Sequence, residues 1–360
     1  MRILIIRLGA IGDVIMALGL IPALRARYPE ARIDWLTEST QADLLRHHPD
    51  LDTLHLWPRR QWRALRQRGH YGQFCSEAGQ LIRTLRGIRY DLVLDLQGLL
   101  KSGLWAWLSG GKRRVGLGSR EGSQWLMTET LNRHSDSRLI GKEYRKLAQF
   151  LGARAEDFRP VIGLDADDIA SANQWLQQLG RSRPGIMVAP FTTRPQKHWF
   201  ADRWLAVADA LCRQTGQPVL LLGGPGDAEQ AAHWVDASGG SLTSLVGQTR
   251  LGEAAALIAR ADLLMGVDTG LTHLGMVLGT PTLALFGSTR PYLETENPNG
   301  KVLYHPLACS PCRRHPTCEG RFDCMARHEV DSVLAEASAL PGNRSVTAVS
   351  SSPAITRYPP

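Results

Sequence analysis

The sequence contains no uninterrupted apolar run of the ~18–20 residues that a membrane-spanning helix needs. It also lacks the glycine-rich dinucleotide and P-loop fingerprints, the H-E-x-x-H pattern of zinc peptidases and the G-x-S-x-G elbow of serine hydrolases. The pair Asp165 and Asp167 imitates a metal-binding D-x-D, but it stands where a helix is predicted to begin. We therefore expect helix capping there and no metal.

A cleavable secretion signal is also missing from the start of the sequence. The first twenty residues resemble one in outline, but Arg7 and Asp13 interrupt the apolar region and no small-residue cleavage site follows. We interpret this segment as the first strand and helix of a cytoplasmic protein.

The composition is that of a soluble globular protein. The chain has 360 residues, of which 43% are hydrophobic and 21% charged, and this length favours two domains. Lysine and arginine number 42 against 34 acidic residues, a net charge of +8. Such an excess suits an anionic partner, whether nucleic acid, a sugar nucleotide or an anionic membrane surface.

Short apolar runs alternate with amphipathic stretches, which predicts an α/β fold of parallel βα units. In the first half, strands are predicted at 3–6, 33–36, 53–57, 92–96 and 114–117, and helices at 14–27, 77–85, 99–108 and 142–151. In the second half, strands are predicted at 185–189, 219–222, 242–246, 263–267 and 282–286, and helices at 167–179, 203–214, 228–237, 252–259, 271–278 and 328–340. The rhythm breaks at 152–165, where we place the linker between two Rossmann-like halves.

The first informative segment is Arg7-Leu-Gly-Ala-Ile-Gly-Asp13, between the first strand and helix. Its glycines permit a tight turn that delivers Asp13 to the helix start. Aspartate is both a preferred capping residue and a general base, and the segment alone fits either role.

Two turns in the second half carry the marks of a phosphate site. The loop 190–199, PFTTRPQKHW, offers hydroxyls and cations after a strand, although it could also be an ordinary surface loop. In GVDTGLTH, 266–273, Asp268 or Thr269 is expected to cap a helix whose first amides attract a diphosphate. His273 on its own would more often be structural.

A further strand-to-helix turn, DLQGLLKS at 95–102, presents a polar edge in the first half. Nearby arginines are candidates for holding an anionic acceptor, with a solvated basic face as the alternative: Arg59, Arg60, Arg63, Arg66 and Arg68. Their aromatic neighbours Trp57 and Trp62 are too few to indicate a site that stacks the bases of a single-stranded nucleic acid.

Six cysteines divide unevenly. Cys75 and Cys212 are expected to be inert, partly buried thiols. The other four are spaced C-x2-C-x5-C-x5-C, which could hold zinc or iron or belong to a reduced structural loop: Cys309, Cys312, Cys318 and Cys324. Any metal there would be structural and remote from the chemistry.

Taken together, the motifs resemble the bacterial lipopolysaccharide heptosyltransferases, glycosyltransferase family 9. The resemblance runs from residue 1 to about residue 340 and includes the opening with Gly12 and Asp13, DLQGLLKS, TTRPQKHW and GVDTGLTH in the same order. The middle two motifs are most similar to the heptosyltransferase I branch. The family has the GT-B fold, two Rossmann-like domains around a cleft, with the last helix crossing back to the first domain.

The resemblance implies a domain plan and site residues. It implies an acceptor-binding domain at 1–155, an ADP-sugar domain at 156–325, a crossover helix at 326–340 and a disordered tail at 341–360. Asp13 matches the general base and Lys197 the cation that neutralises the leaving diphosphate. Donor-binding residues would be Thr192, Thr193, Lys197, Asp227, Asp268, Thr269, Gly270, Leu271, Thr272 and His273. Acceptor-binding residues would be Gly12, Arg60, Arg63, Gln97, Lys101 and Arg120.

The implied reaction is inverting transfer of heptose from ADP-heptose to the Kdo and inner-core region of lipopolysaccharide, with no cofactor required. The partners would be Kdo-lipid A or inner-core acceptors and the cytoplasmic face of the inner membrane, with no nucleic acid. One alternative is another GT-B sugar-nucleotide transferase or an epimerase, which fold alone does not separate. A more remote one is a basic nucleic-acid-binding protein, although no recognition motif is present.

Overall fold

A computed structural model describes residues 1–312 and 315–343, and its chain divides into two units. Unit 1 comprises residues 1–137 and 141–163; unit 2 comprises residues 138–140 and the chain from Leu164 onward. The change from one unit to the other at 163–164 falls within the segment 152–165, where the linker is predicted.

Unit 1 is built on a six-stranded sheet in the order β3-β2-β1-β4-β5-β6, with every pair parallel. Its strands are β1 Arg2–Ile6, β2 Arg32–Glu38, β3 Thr53–Trp57, β4 Leu92–Asp95, β5 Arg113–Leu117 and β6 Glu129–Leu131. In register, Ile3 lies opposite Ile33 on one side and Leu92 on the other. Central strands are buried on both faces, which explains their nearly continuous apolar sequence.

Helices cover the sheet of unit 1. They are α1 Ile11–Ala17, α2 Leu20–Arg27, α3 Arg59–Gln67, α4 Tyr71–Ile88, α5 Leu100–Leu108 and α6 Lys142–Phe150. The single helix predicted at 14–27 is two helices, α1 and α2, which meet at Leu18 and Gly19. A Cβ atom at Gly19 would lie only 2.6 Å from the Phe158 ring, so glycine is needed where the chain changes direction.

Unit 2 repeats the scheme with a sheet in the order β12-β11-β10-β7-β8-β9, again fully parallel. Its strands are β7 Ile186–Ala189, β8 Val219–Leu221, β9 Leu242–Ser244, β10 Leu263–Val267, β11 Thr282–Phe286 and β12 Gly300–Tyr304. Its helices are α7 Ala166–Gln178, α8 Ala201–Thr215, α9 Ala228–Ala237, α10 Leu251–Ile258, α11 Gly270–Val277, α12 Asp323–Ala326 and α13 Val330–Ser338.

The predicted α/β class is confirmed by these two sheets. Four elements are absent from the prediction: helices α3 and α12, and the edge strands β6 and β12. The predicted helix start is confirmed, with Asp165 in the N-cap position of α7 and Asp167 in its first turn. The expected capping is wrong, because no side-chain cap hydrogen bond forms there.

The last described helix, α13, packs on α8 and β11 of its own unit. The return of the chain to the first domain, which the resemblance implies, therefore stays a prediction. The disordered tail is predicted at 341–360, and residues 344–360 of it lie outside the described part of the chain. Within the described part, no helix combines the length and apolar composition needed to cross a bilayer.

Candidate active site

In parallel sheets, the carboxyl ends of the strands share one edge, where ligands bind in open α/β folds. The candidate segments follow that rule in each unit. The segments at 7–13 and 95–102 follow β1 and β4 of unit 1, and those at 190–199 and 266–273 follow β7 and β10 of unit 2.

Asp13 lies in the first turn of α1, which begins at Ile11 with Ala10 in the N-cap position. The capping role considered for Asp13 is therefore wrong, because no side-chain cap hydrogen bond forms at this end of α1. The Asp13 carboxylate instead forms an ion pair with the Arg7 guanidinium. The Asp13 side chain is 37% exposed, whereas that of Arg7 is 6% exposed. Asp13 thus offers an accessible carboxylate held from behind by a buried cation.

Arg7 is anchored by other groups of unit 1. Its guanidinium donates to the Leu96 carbonyl at 3.2 Å. Burial alone would lower the pKa of Arg7, but the nearby acidic groups Tyr144, Asp13 and Glu143 raise it above its ordinary value. Arg7 therefore stays charged behind Asp13.

The turn after β4 is tied to the turn after β1. The Gln97 side-chain oxygen accepts from the Leu8 backbone N–H at 3.1 Å. The Asp95 carboxylate accepts from the backbone N–H groups of Gln97 and Gly98 at 3.0 and 3.1 Å. Gly98 has a φ of +65°, and a Cβ atom there would lie 2.6 Å from the Leu117 carbonyl oxygen, so only glycine fits. Gln97 thereby stands beside the segment that carries Gly12 and Asp13.

Lys101 belongs to a charged group at the same edge. Its ammonium lies 4.0 Å from the Glu38 carboxylate, which also pairs with Arg59 at 3.1 Å. Burial and the positive charges of Arg59 and Arg7 lower the pKa of Lys101. Among the predicted acceptor residues, the structure therefore brings Gln97 and Lys101 near the Arg7 and Asp13 pair.

The remaining predicted acceptor residues are more exposed. Arg60 and Arg63 lie exposed on α3, which begins two residues after β3. Arg120 is exposed on the loop after β5, where its backbone N–H donates to the Gly98 carbonyl at 3.0 Å. In the described part of the chain, none of these three arginines contacts Asp13.

In unit 2, a short 3-10 turn at Pro195–Lys197 directs Lys197 toward the strand end of β10. The Lys197 ammonium lies 2.5 Å from the Asp268 carboxylate and 3.3 Å from the Asp268 carbonyl oxygen. Their side chains are only 16% and 12% exposed. The predicted cation and the predicted donor-side carboxylate therefore form one nearly buried ion pair.

Asp268 has two further partners. Its carboxylate lies 3.2 Å from His273 Nε2 and accepts from the Thr289 hydroxyl at 2.6 Å. Burial alone would raise the pKa of Asp268, but the hydrogen bond and charge of His273, together with Lys197, hold it well below its usual range. Asp268 thus stays an anion that orients cations.

Tyr292 completes the chain of contacts. Its hydroxyl lies 2.7 Å from His273 Nδ1. Burial and the charge of Asp268 raise the pKa of Tyr292 well above 10, so the phenol keeps its proton. The His273 ring therefore contacts Tyr292 through Nδ1 and Asp268 through Nε2. His273 is thereby a fixed link between Tyr292 and Asp268.

The start of α11 differs from the prediction in one respect. Thr269 occupies the N-cap position, but no side-chain cap hydrogen bond forms there, and the Asp268 carboxylate is engaged with Lys197 and His273. Gly270 and Leu271 are partly exposed, whereas Thr272 is buried. The first amides of α11 are therefore not used by a capping side chain.

Three other predicted donor residues line strand ends of unit 2. The Thr192 carbonyl accepts from His198 Nε2 at 2.8 Å, and Thr193 is exposed. Asp227 follows β8, and its carboxylate accepts from the Gly224 backbone N–H at 2.9 Å, which shapes that turn. No contact joins Asp227 to Lys197 among the described interactions.

Sequence reasoning assigned no role to several residues of these clusters: Arg7, Glu38, Arg133, Glu143, Tyr144, Thr289 and Tyr292. Arg7 and Glu38 lie at the carboxyl ends of β1 and β2, and this position in the sequence could have identified them as candidates. Arg133 bridges Glu143 at 2.7 Å and the Gln97 carbonyl at 2.9 Å, a role visible only once the chain is folded.

All six cysteines are free thiols. Cys75 is exposed, which corrects the expectation that it is partly buried, and Cys212 is of intermediate exposure. In the cysteine cluster, Cys309 is exposed, Cys312 intermediate, and Cys318 and Cys324 buried. Burial raises the thiol pKa of Cys312 and Cys324. Across residues 1–312 and 315–343, no three His, Cys, Asp or Glu side chains are placed to hold a metal ion.

The chain is similar to proteins of known activity and to solved structures. The chain is 28% identical over 332 residues to lipopolysaccharide heptosyltransferase 1 of Pseudomonas aeruginosa, covering 88% of this chain and 87% of that protein. The solved structure of ADP-heptose lipopolysaccharide heptosyltransferase II of E. coli has a TM-score of 0.71 at 25% identity, with 93% and 97% of the two chains covered. E. coli heptosyltransferase WaaC, solved with ADP-2-deoxy-2-fluoro heptose, has a TM-score of 0.67 at 23% identity, with 93% and 98% covered.

These solved neighbours show that the two sheets are those of a GT-B fold. The model of glycosyltransferase family 9 (heptosyltransferase) matches residues 78–322, more than half of the sequence. The match begins within α4 and ends just before α12, so it includes the polar turns after β4, β7 and β10. The chain is a glycosyltransferase and belongs to family 9.

Proposed function

We propose that this enzyme transfers heptose from ADP-heptose to the Kdo region of the lipopolysaccharide inner core, with inversion at the anomeric carbon. The observation that carries the proposal is the pair of ionic clusters at the strand ends, Arg7 with Asp13 in unit 1 and Lys197 with Asp268 in unit 2. Relatives named as lipopolysaccharide heptosyltransferases support the choice of heptose and acceptor.

Asp13 serves as the general base. Its carboxylate is partly exposed, so it can reach an acceptor hydroxyl, and Arg7 holds it in one place. As the hydroxyl oxygen attacks the anomeric carbon, its proton passes to Asp13 and the bond from that carbon to the ADP oxygen breaks. A positioned base of this kind contributes about 10²–10⁴-fold in rate.

Lys197 neutralises the charge that develops on the departing diphosphate. Two of its three N–H donors face Asp268 in the described part of the chain, and the third is left for a phosphate oxygen. Because Asp268 is itself held by His273 and Thr289, the ammonium is positioned before the donor arrives. Such preorganised charge stabilises a transition state without reorganisation during the reaction.

The donor's diphosphate lies at the start of α11, at residues 269–271, with Thr192 and Thr193 beside it and Asp227 at the ribose. Unpaired backbone N–H groups at a helix start favour phosphate. Thr272 and His273 act behind this surface because both are buried. The acceptor's anionic groups are bound by Arg60, Arg63, Lys101 and Arg120, and Gln97 positions the Asp13 segment.

The reaction needs no cofactor in this scheme, because protein cations stabilise the leaving group. A structural zinc or iron at the four cysteines is not supported by their placement, since the described groups do not converge on one point. The lipid-linked acceptor places the enzyme on the cytoplasmic face of the inner membrane.

A transfer assay tests the proposal. Purified enzyme is given ADP-heptose with Kdo-lipid A or with an already heptosylated acceptor, and products are identified by mass spectrometry. We expect a mass gain of one heptose on Kdo-lipid A. ADP-glucose and UDP-sugars serve as donor controls. Transfer from another sugar nucleotide alone, or epimerised donor with no acceptor product, would replace the proposed function. Binding of a nonspecific oligonucleotide with no binding of ADP would overturn it entirely.

A further inference from the structure

One face of unit 1 exposes large apolar side chains that the proposed chemistry does not use. Helix α5 exposes Leu100, Leu104 and Trp107 at 44%, 41% and 48%, and the neighbouring 3-10 turn exposes Trp125 at 85%. We call these four residues the tryptophan face. Soluble proteins rarely leave several large apolar residues together in water without a binding role.

The four residues share one side of the unit. Positions 100, 104 and 107 are spaced by four and three residues, so they lie along one face of α5. The buried Gly103, next to Leu104 in α5, packs against the turn Ser123–Leu126: a Cβ atom there would lie 2.8 Å from Ser123 Cβ. Trp125 belongs to this turn and therefore stands beside the exposed stripe.

A basic helix adjoins the face. The ring of Trp105, on the buried side of α5, packs 6.0 Å from the ring of Trp57 and 6.1 Å from that of Trp62, which lies on α3. The outer side of α3 exposes a row of arginines: Arg59, Arg60, Arg63 and Arg66. Exposed tryptophan and leucine next to arginine is the composition of surfaces that enter the headgroup region of an anionic bilayer.

We propose that the tryptophan face docks unit 1 on an anionic lipid bilayer, with the apolar side chains in the interface and the α3 arginines on the phosphate groups. This inference deepens the proposed function and rests on it for the lipid-linked acceptor. The face is continuous with the acceptor edge, because Lys101 of α5 lies 4.0 Å from Glu38, the partner of Arg59. Docking therefore brings the acceptor edge to the membrane surface.

Charge favours lipid over the other occupants. In a symmetric contact between two copies, the α3 arginines of one copy would approach like charges of the other. The chain segment 344–360 carries two arginines and no acidic residue, so it has the same sign as α3. Anionic phosphate headgroups complement this surface, and each well-placed cation strengthens attachment at low salt.

Vesicle sedimentation tests the inference with the full chain. Vesicles of phosphatidylcholine with 30% phosphatidylglycerol, roughly the anionic content that attracts polybasic surfaces, are compared with pure phosphatidylcholine. The double variant Trp107→Gln, Trp125→Gln should bind the anionic vesicles at least ~10-fold more weakly than the unchanged protein, because two aromatic anchors are lost. Ile169→Gln, an exposed apolar residue of α7 in unit 2, is the matched control and should bind as the unchanged protein does.

Two further measurements decide the outcome. Transfer to a short, water-soluble Kdo acceptor should be unchanged in the double variant, since neither tryptophan belongs to the reacting groups. Equal vesicle binding by the double variant overturns the docking proposal, and so does a change from dimer to monomer in sedimentation velocity, which would assign the face to a second copy. Loss of vesicle binding without any heptose transfer by the unchanged protein would retain docking and remove the proposed function.

Discussion

Two aspartates at the strand ends of the two units have opposite surroundings. The Asp13 side chain in unit 1 is 37% exposed and pairs with one buried arginine, whereas that of Asp268 in unit 2 is 12% exposed and contacts Lys197, His273 and Thr289. Only the cation is buried in the first case, whereas both members are nearly buried in the second. Both arrangements are ion pairs, but only the first leaves its carboxylate accessible.

The difference in exposure determines which chemical role each carboxylate can have. A base has to reach its substrate and accept a proton, which the exposed Asp13 can do. Asp268 has a pKa held well below its usual range and little access, so it stays charged and orients the groups around it. An aspartate after a strand is therefore a base or an organiser according to its burial.

The largest expected effect comes from Asp13→Asn. Asparagine keeps an oxygen that accepts from Arg7 but cannot take the acceptor's proton, so turnover should fall by about 10²–10⁴-fold. The lost charge should cost on the order of 1 kcal/mol of stability, a shift of a few degrees in the melting temperature. Steady-state transfer kinetics and a melting curve measure the two effects.

The control for this prediction is Asp136→Asn, which changes a carboxylate of the same unit that is 93% exposed. It should leave both turnover and melting temperature unchanged. ADP-heptose binding by Asp13→Asn should also persist, because the donor groups belong to unit 2. A near-normal turnover for Asp13→Asn would show that Asp13 is not the general base. The proposed difference in function between Asp13 and Asp268 would then be wrong.

Acidification should affect both units alike. Burial lowers the pKa of His48 in unit 1 and of His328 in unit 2 to about 4, whereas an unfolded histidine titrates near 6.5. Between these values the unfolded chain binds more protons, so the contribution to stability is complete above pH 6.5 and is lost as the pH falls toward 4. Each histidine accounts for about 3 kcal/mol.

Urea unfolding of the unchanged protein and of His328→Gln at pH 7 and pH 4.5 measures this loss. The glutamine amide can still donate to the Phe286 carbonyl, which His328 Nε2 meets at 3.0 Å. The variant should lose less free energy of unfolding on acidification, while His134→Gln, a change at an exposed histidine, should behave as the unchanged protein. Parallel losses in all three proteins would contradict the assignment to His328.

Lys197→Ala should weaken donor binding and slow transfer. A charge-assisted contact to phosphate is worth about 1.5–3 kcal/mol, or roughly 10–150-fold in kcat/KM for ADP-heptose. Lys301→Ala, at a half-exposed lysine of the same unit that pairs with Glu336, is the matched control and should have normal kinetics. Normal kinetics of Lys197→Ala at every donor concentration would contradict the role of the Lys197 and Asp268 pair in stabilising the leaving diphosphate.

The smallest effect separates two buried tyrosines. Tyr292→Phe removes the hydrogen bond to His273 and should lower the free energy of unfolding by about 1 kcal/mol. The Tyr144 hydroxyl is buried without a hydrogen-bond partner in the described structure, so Tyr144→Phe should be neutral or stabilising. Chemical unfolding of both variants measures the difference, and equal losses would show that the His273 contact adds nothing.

The sequence predicted most of the sheet framework because central strands are apolar on both faces. The bounds of β3, β10 and β11 agree with the predicted ones. Helix α3 was not predicted because only Trp62 and Leu65 of it are buried, too few among arginines to show a helical period. The edge strands β6 and β12 are half-buried and carry no continuous apolar run.

The candidate site was predicted where residues directly follow strands, as Asp13 and Asp268 do. Their partners could not be predicted in the same way. Tyr292 reaches His273 across 19 residues and Lys197 reaches Asp268 across 71, distances that only the folded sheet closes. The sequence likewise could not show that α1 begins before Asp13, which decides against capping.

Each unit carries one exposed thiol, Cys75 on α4 and Cys309 after β12, while the other four are of intermediate exposure or buried. A maleimide dye pair should therefore attach mainly to these two cysteines without any engineered position. Energy transfer between the dyes would then report, in a single titration with ADP, whether nucleotide binding changes the separation of the two units. The natural positions of Cys75 and Cys309 thus allow a distance measurement between the two units without any substitution.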